Sequence, residues 1–110
     1  MTKKRVLIVD DEADIRELLA MTLIQMDLEV IEAETLSEAI EALNKGAYAF
    51  CLTDMKLPDG SGMDLISLIQ NKYPNMPVAM ITAYGNTEIA VEALKLGAFD
   101  FVTKPIELPR

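Results

Sequence analysis

Residues 5–11 read Arg5, Val6, Leu7, Ile8, Val9, Asp10, Asp11, an apolar run that stops at two carboxylates. The run is too short for a helix and rich in β-branched residues, which marks it as a strand. Three more runs follow the same plan. Ala49, Phe50, Cys51, Leu52 and Thr53 lead into Asp54, and Val78, Ala79, Met80 and Ile81 lead into Thr82. Phe99, Asp100, Phe101, Val102 and Thr103 lead into Lys104. If the runs are neighbouring parallel strands, their terminal residues meet at one edge of a sheet, outside the carboxyl ends of the strands. Ligands bind there in open α/β sheets. Carboxylates, a hydroxyl and an ammonium gathered at that edge suit a divalent metal and a phosphoryl group.

Between these runs the period changes from two to about three and a half. Ile15, Leu18, Leu19, Thr22, Leu23 and Met26 form a stripe that predicts a helix lying on the sheet. Leu36, Ala39, Ile40 and Leu43 predict a second helix, with Thr35 or Ser37 as its N-cap and Gly46 as its stop. Met63, Leu65, Ile66, Leu68 and Ile69 predict a third, closed by Tyr73, Pro74 and Pro77. Asn86 caps a fourth that carries Ile89, Ala93 and Leu94 and ends at Gly97. Glu29–Ala33 alternates weakly and reads as an edge strand. Repeated β-α units predict an α/β fold, a doubly wound five-stranded parallel sheet of flavodoxin-like order 2-1-3-4-5. That order sets the strands ending at Asp10 and Asp54 side by side. The chain stops soon after Pro105, where Glu107, Leu108 and Pro109 resemble the first turn of a helix. The expectation is one domain over residues 1–110, truncated before its C-terminal helix.

Composition narrows the class of function. A chain of 110 residues, 51% hydrophobic and 25% charged, suits one folded domain and not a disordered segment. The net charge of −8 argues against direct nucleic-acid binding and against an anionic membrane surface. No run has the length of a membrane span or a signal peptide. Cys51 stands alone inside an apolar run, where a buried inert thiol is expected, so a cytoplasmic location fits.

The strand-end residues divide by chemistry. Crowded carboxylates repel one another unless a cation joins them, and Mg²⁺ takes one or two carboxylates plus a phosphate. Asp54 stands alone at its strand end and is the candidate nucleophile; Asp10 and Asp11 are the candidate metal holders. Taken alone, Asp10, Asp11 and Glu12 are better explained as acids at a helix N-terminus. Thr82 can donate to a phosphoryl oxygen, and Ala83 after it is too small to block access. Lys104 can neutralise a carboxylate and then bind phosphate. Taken singly, that Thr and that Lys are ordinary surface residues. The loop Met55–Gly62 has turn composition, and its weight comes from following Asp54.

Together, Asp10-Asp11, Asp54 with Pro58, Asp59 and Gly60, Thr82-Ala83 and Lys104-Pro105 resemble the receiver domain of two-component response regulators, in order and spacing across the chain. Residues 52–62 and 79–85 are most similar to the sigma-54-dependent activators within that family. The expected strand order is the order known for the family and is not independent support. The resemblance implies that Asp54 accepts a phosphoryl group from a sensor histidine kinase, with Mg²⁺ held by Asp10, Asp11, Asp54 and the backbone carbonyl of Lys56. Thr82 and Lys104 would bind phosphoryl oxygens. Thr82 and Phe101 would form the switch, with Phe101 standing where many members have Tyr and so lacking a hydroxyl for the inward state. Lys56, Ala83 and Tyr84 would tune the phosphoryl lifetime. The implied partners are the kinase, output domains in a longer protein and a second copy in a phosphorylation-dependent homodimer. Two other readings compete: a Mg²⁺-dependent phosphatase with an aspartyl-phosphate intermediate, and a receiver-like module that binds partners without phosphorylation. The phosphatase needs a second acid near Asp54 to activate water, and the sequence suggests none.

Overall fold

The structure is a computed structural model that describes residues 3–83 and 86–104. Its strands are β1 (Arg5–Val9), β2 (Glu29–Ala33), β3 (Phe50–Thr53), β4 (Lys56–Leu57), β5 (Gly60–Ser61), β6 (Val78–Thr82) and β7 (Asp100–Thr103). Its helices are α1 (Ala13–Gln25), α2 (Leu36–Lys45), α3 (Gly62–Lys72) and α4 (Thr87–Leu96). The large sheet has the order β2-β1-β3-β6-β7, every neighbouring pair parallel. Counting only its own strands, this is the expected 2-1-3-4-5, with β2 at an edge. The expectation lacked the two-residue β4-β5 hairpin inside the Asp54 loop. Its strands are too short to show a period.

Both faces of β1 are buried, which explains its unbroken apolar run. Leu7 and Val9 face a core with Ala39 and Leu43 of α2, Leu65, Ile66 and Ile69 of α3 and Ala93 of α4. Val6 and Ile8 face the other way, onto Leu19 and Leu23 of α1 and Ile81 of β6. Cys51 is fully buried, and burial pushes its thiol up to about 12, consistent with an inert core residue.

The helix boundaries follow local chemistry. Thr35, not Ser37, caps α2, accepting the Glu38 N–H at 3.0 Å. Asn86 caps α4 through the Ile89 N–H at 2.8 Å. Gly97 closes α4 with a φ of 119°, a left-handed conformation that suits glycine. Two stripe residues were placed wrongly: Met26 is 64% exposed just beyond α1, and Leu94 is 47% exposed. In α4 the core is met by Ala93. The expected C-terminal helical turn and Tyr84 lie outside the described residues.

Candidate functional site: a carboxylate cluster closed by Lys104

Backbone hydrogen bonds bring the strand ends together. The Asp10 N–H donates to Ala33 O at 3.0 Å, the Asp54 N–H to Val9 O at 2.9 Å and the Lys104 N–H to Thr82 O at 2.8 Å. Asp10 after β1, Asp54 after β3, Thr82 at the end of β6 and Lys104 after β7 therefore share one edge because their strands are in register. Asp10, Asp54 and Thr82 are all buried there, while Asp11 and Ala83 are exposed.

Lys104 reaches into this edge. Its Nζ lies 2.9 Å from Asp10 Oδ2, 2.8 Å from Glu12 Oε1 and 3.2 Å from Asp54 Oδ2. Burial alone would favour a neutral lysine, but hydrogen bonds to Glu12 and Asp10 and the charges of Asp10 and Asp54 outweigh it. The Lys104 pKa is raised, so it is a fixed cation at neutral pH. Asp10 is pushed up chiefly by burial and also by the charge of Asp54. The Glu12 N–H and Lys104 offset only part of this. A buried carboxylate that resists ionisation in this way gains from an added cation.

The donor set fits Mg²⁺. Carboxylate oxygens of Asp10, Asp11, Glu12 and Asp54 lie within 4.8 Å of one another, and all are the hard oxygen ligands this ion prefers. Asp54 Oδ1 accepts the Met55 N–H at 2.7 Å, leaving Oδ2 toward the pocket and Lys104. Gly62 sits against the Asp54 carbonyl oxygen, where a Cβ would collide with it. Lys56 lies in β4, two residues from Asp54, with its side chain exposed. Phe101 is half-buried and packs on the main core beside its register partner Met80.

Two residues at this edge escaped sequence reasoning. Glu12 was read only as a helix-terminal acid, yet it shares Lys104 with Asp54. Arg16, on which the sequence raised no expectation, is buried and its Nη1 donates to Asp10 O at 2.6 Å. Its Nε reaches Glu32 and its Nη2 reaches Glu34, each at 3.1 Å. It therefore braces the loop that carries Asp10 and Asp11. A signal was available: Arg16 sits between Ile15 and Leu19 on the sheet-facing side of α1, where a cation needs acceptors.

The model of the response regulator receiver domain matches residues 6–110. The chain belongs to that family. This receiver is 56% identical to the response regulator protein PilR of Pseudomonas aeruginosa over 110 residues, all of this chain and 25% of PilR. It thus spans about a quarter of that relative's length. It superposes on the beryllofluoride-activated NtrC4 receiver domain dimer with a TM-score of 0.89 and 35% identity, covering 94% of this chain and 85% of that one. A response regulator from Burkholderia pseudomallei, solved with a phosphorylated aspartic acid and a calcium ion, gives a TM-score of 0.88 and 28% identity over 96% of this chain and 62% of that one. Among the described residues no helix is long and apolar enough to cross a membrane.

Proposed function

We propose that this domain is the phosphoacceptor of a two-component pathway, with Asp54 as the residue phosphorylated. The observation that carries the reading is Lys104, a cation with a buried side chain just after β7, placed on both Asp10 and Asp54. In the transfer, a carboxylate oxygen of Asp54 forms a bond to phosphorus as the phosphorus–nitrogen bond of the kinase phosphohistidine breaks. The imidazole leaves with the electron pair of that bond. Asp10, Asp11, Asp54 and the Lys56 carbonyl would hold Mg²⁺, which when bound neutralises charge on the transferring group. Lys104 supplies a second cation for the phosphoryl oxygens, and Thr82 a hydroxyl donor. The phosphoryl group adds a charge of roughly −2 at this edge, which pulls Thr82 and Lys104 toward it and biases the β6-α4 surface and Phe101. Lys56, Ala83 and Tyr84 would tune the lifetime of the phosphoryl group, as the family resemblance implies.

The output would be transcription activation by domains in a longer protein, of the sigma-54-dependent kind that residues 52–62 and 79–85 resemble. A phosphorylation-dependent homodimer fits the likeness to the NtrC4 receiver dimer.

Incubating the chain with Mg²⁺ and a small acyl phosphate, then weighing the intact protein, tests the reading. One slowly lost phosphoryl group per chain, absent in Asp54→Ala, is the expected result. Many turnovers of the donor would replace this reading with the phosphatase. No label would leave an interaction module.

A further inference from the structure

The loop that carries Asp54 into α3 is tied to the rest of the fold at a point away from the carboxylates. Asp59, at the turn between β4 and β5, directs both carboxylate oxygens at the start of α2. Oδ1 accepts the Leu36 N–H at 2.7 Å and Oδ2 the Ser37 N–H at 3.0 Å. Those two hydrogen bonds hold the Asp59 carboxyl below the usual carboxylate range. Packing is close as well, since a Cβ on Gly60 would come within 2.6 Å of Leu36 Cδ2.

The contact satisfies the first two N–H groups of α2, which the helix's own cap leaves open, and it also ties the hairpin to the helix. That cap, Thr35, accepts only the Glu38 N–H, at 3.0 Å, while the Glu38 carboxylate accepts the Glu34 N–H at 3.1 Å ahead of the helix. What the contact adds is a fixed position for the hairpin. Inside the loop, Gly62 N–H donates to Met55 O at 2.7 Å, and Lys56 pairs with Ser61 and Leu57 with Gly60. These bonds give the loop its shape but do not anchor it. Met55 and Leu57 pack on the main core and set its depth. Asp59 ties the turn to α2.

We infer that Asp59 is a positioning residue for the phosphoacceptor loop, holding the β4-β5 turn against α2 so that the Lys56 carbonyl and Asp54 keep the placement that binding requires. The inference rests on the receiver reading for the identity of what binds. Partners that orient ligands from outside the site cost 10–100-fold in metal affinity when removed, and Asp59 acts through several backbone bonds, so a loss of about tenfold is expected.

The test compares wild type, Asp59→Ala, Asp59→Asn and Thr35→Ala. Mg²⁺ is titrated by amide chemical shifts, and hydrogen exchange at Gly62 is followed in the metal-free chain. Asp59→Ala should weaken Mg²⁺ about tenfold and speed Gly62 exchange. Asp59→Asn keeps an acceptor and should fall between. Thr35→Ala removes a cap from the same helix without touching the loop, so it should lower Tm but leave both readouts unchanged. If Thr35→Ala and Asp59→Ala change both readouts alike, Asp59 is only a helix cap and the inference falls. Wild-type affinity and exchange in Asp59→Ala would also overturn it. If wild type binds no Mg²⁺, the receiver reading has failed, and Gly62 exchange still decides whether Asp59 holds the loop.

Discussion

Replacing Lys104 with methionine should destabilise the metal-free chain, and Mg²⁺ should recover much of the loss. Methionine keeps the length and apolar stem of lysine and removes only the charge. The Lys104 side chain is 7% exposed, and those of Asp10 and Asp54 are 3% and 5% exposed, so the variant strands two carboxylates out of water. Breaking a buried ion pair by deleting one partner costs about 3–5 kcal/mol. The Glu12 side chain is 58% exposed, so water reaches one side of the pocket and the low end, about 3 kcal/mol, applies. For a domain of this size that is a fall in Tm of roughly 12 °C. Thermal unfolding by circular dichroism at pH 7 in chelator reads this directly. Millimolar Mg²⁺ restores positive charge among the same oxygens and should narrow the gap. A gap under about 3 °C in chelator would refute the burial argument. An equal gap with and without Mg²⁺ would refute the claim that lysine and metal neutralise the same carboxylates.

Asp10→Asn should raise Tm in chelator at pH 7 and weaken the response to Mg²⁺. The pKa of Asp10 is raised in the folded chain, so the native state holds its proton longer than the unfolded state does. Stability from this group therefore falls as pH rises from 3.8 through the native value, and Tm against pH with and without the substitution checks it. Asp59 has the opposite sign: its lowered pKa gives stability that is present above 3.8 and lost as pH falls through the native value. Asp59→Asn should flatten that acid limb, and Tm followed below pH 4 would show whether it does. Gly62→Ala drives a methyl into the Asp54 carbonyl and should cost about 2 kcal/mol in chemical denaturation, with loss of phosphoryl uptake at Asp54.

The fold was readable because every sheet strand but β2 is a largely apolar run closed by a polar residue, each helix carries a stripe, and α2, α3 and α4 carry side-chain caps. Asp10, Asp54, Thr82 and Lys104 were readable for the same reason, since parallel register turns strand ends into neighbours. The remaining features depend on contacts between distant segments. Glu12 and Lys104 are 92 residues apart, and Asp59 and Leu36 are 23 apart. Pro58, Asp59 and Gly60 make a sufficient turn by themselves, so nothing local shows that the Asp59 carboxylate serves another element. Met26 and Leu94 failed for a different reason. A stripe gives the direction of a helix face but not where the neighbouring elements stop covering it.

Burial also orders the exchange of partners at Lys104. An ammonium has three donors, and Asp10, Glu12 and Asp54 engage all three. On the receiver reading, a phosphoryl group on Asp54 needs at least one of them. Asp10 is a poor partner to release, because its side chain is 3% exposed and would be left charged without water or cation. Glu12 is the better one, because its exposed carboxylate is rehydrated as soon as it lets go. The shortest of the three contacts is thus the easiest to exchange, and the residue first read as a helix-terminal acid occupies the resting position that a phosphoryl oxygen would take.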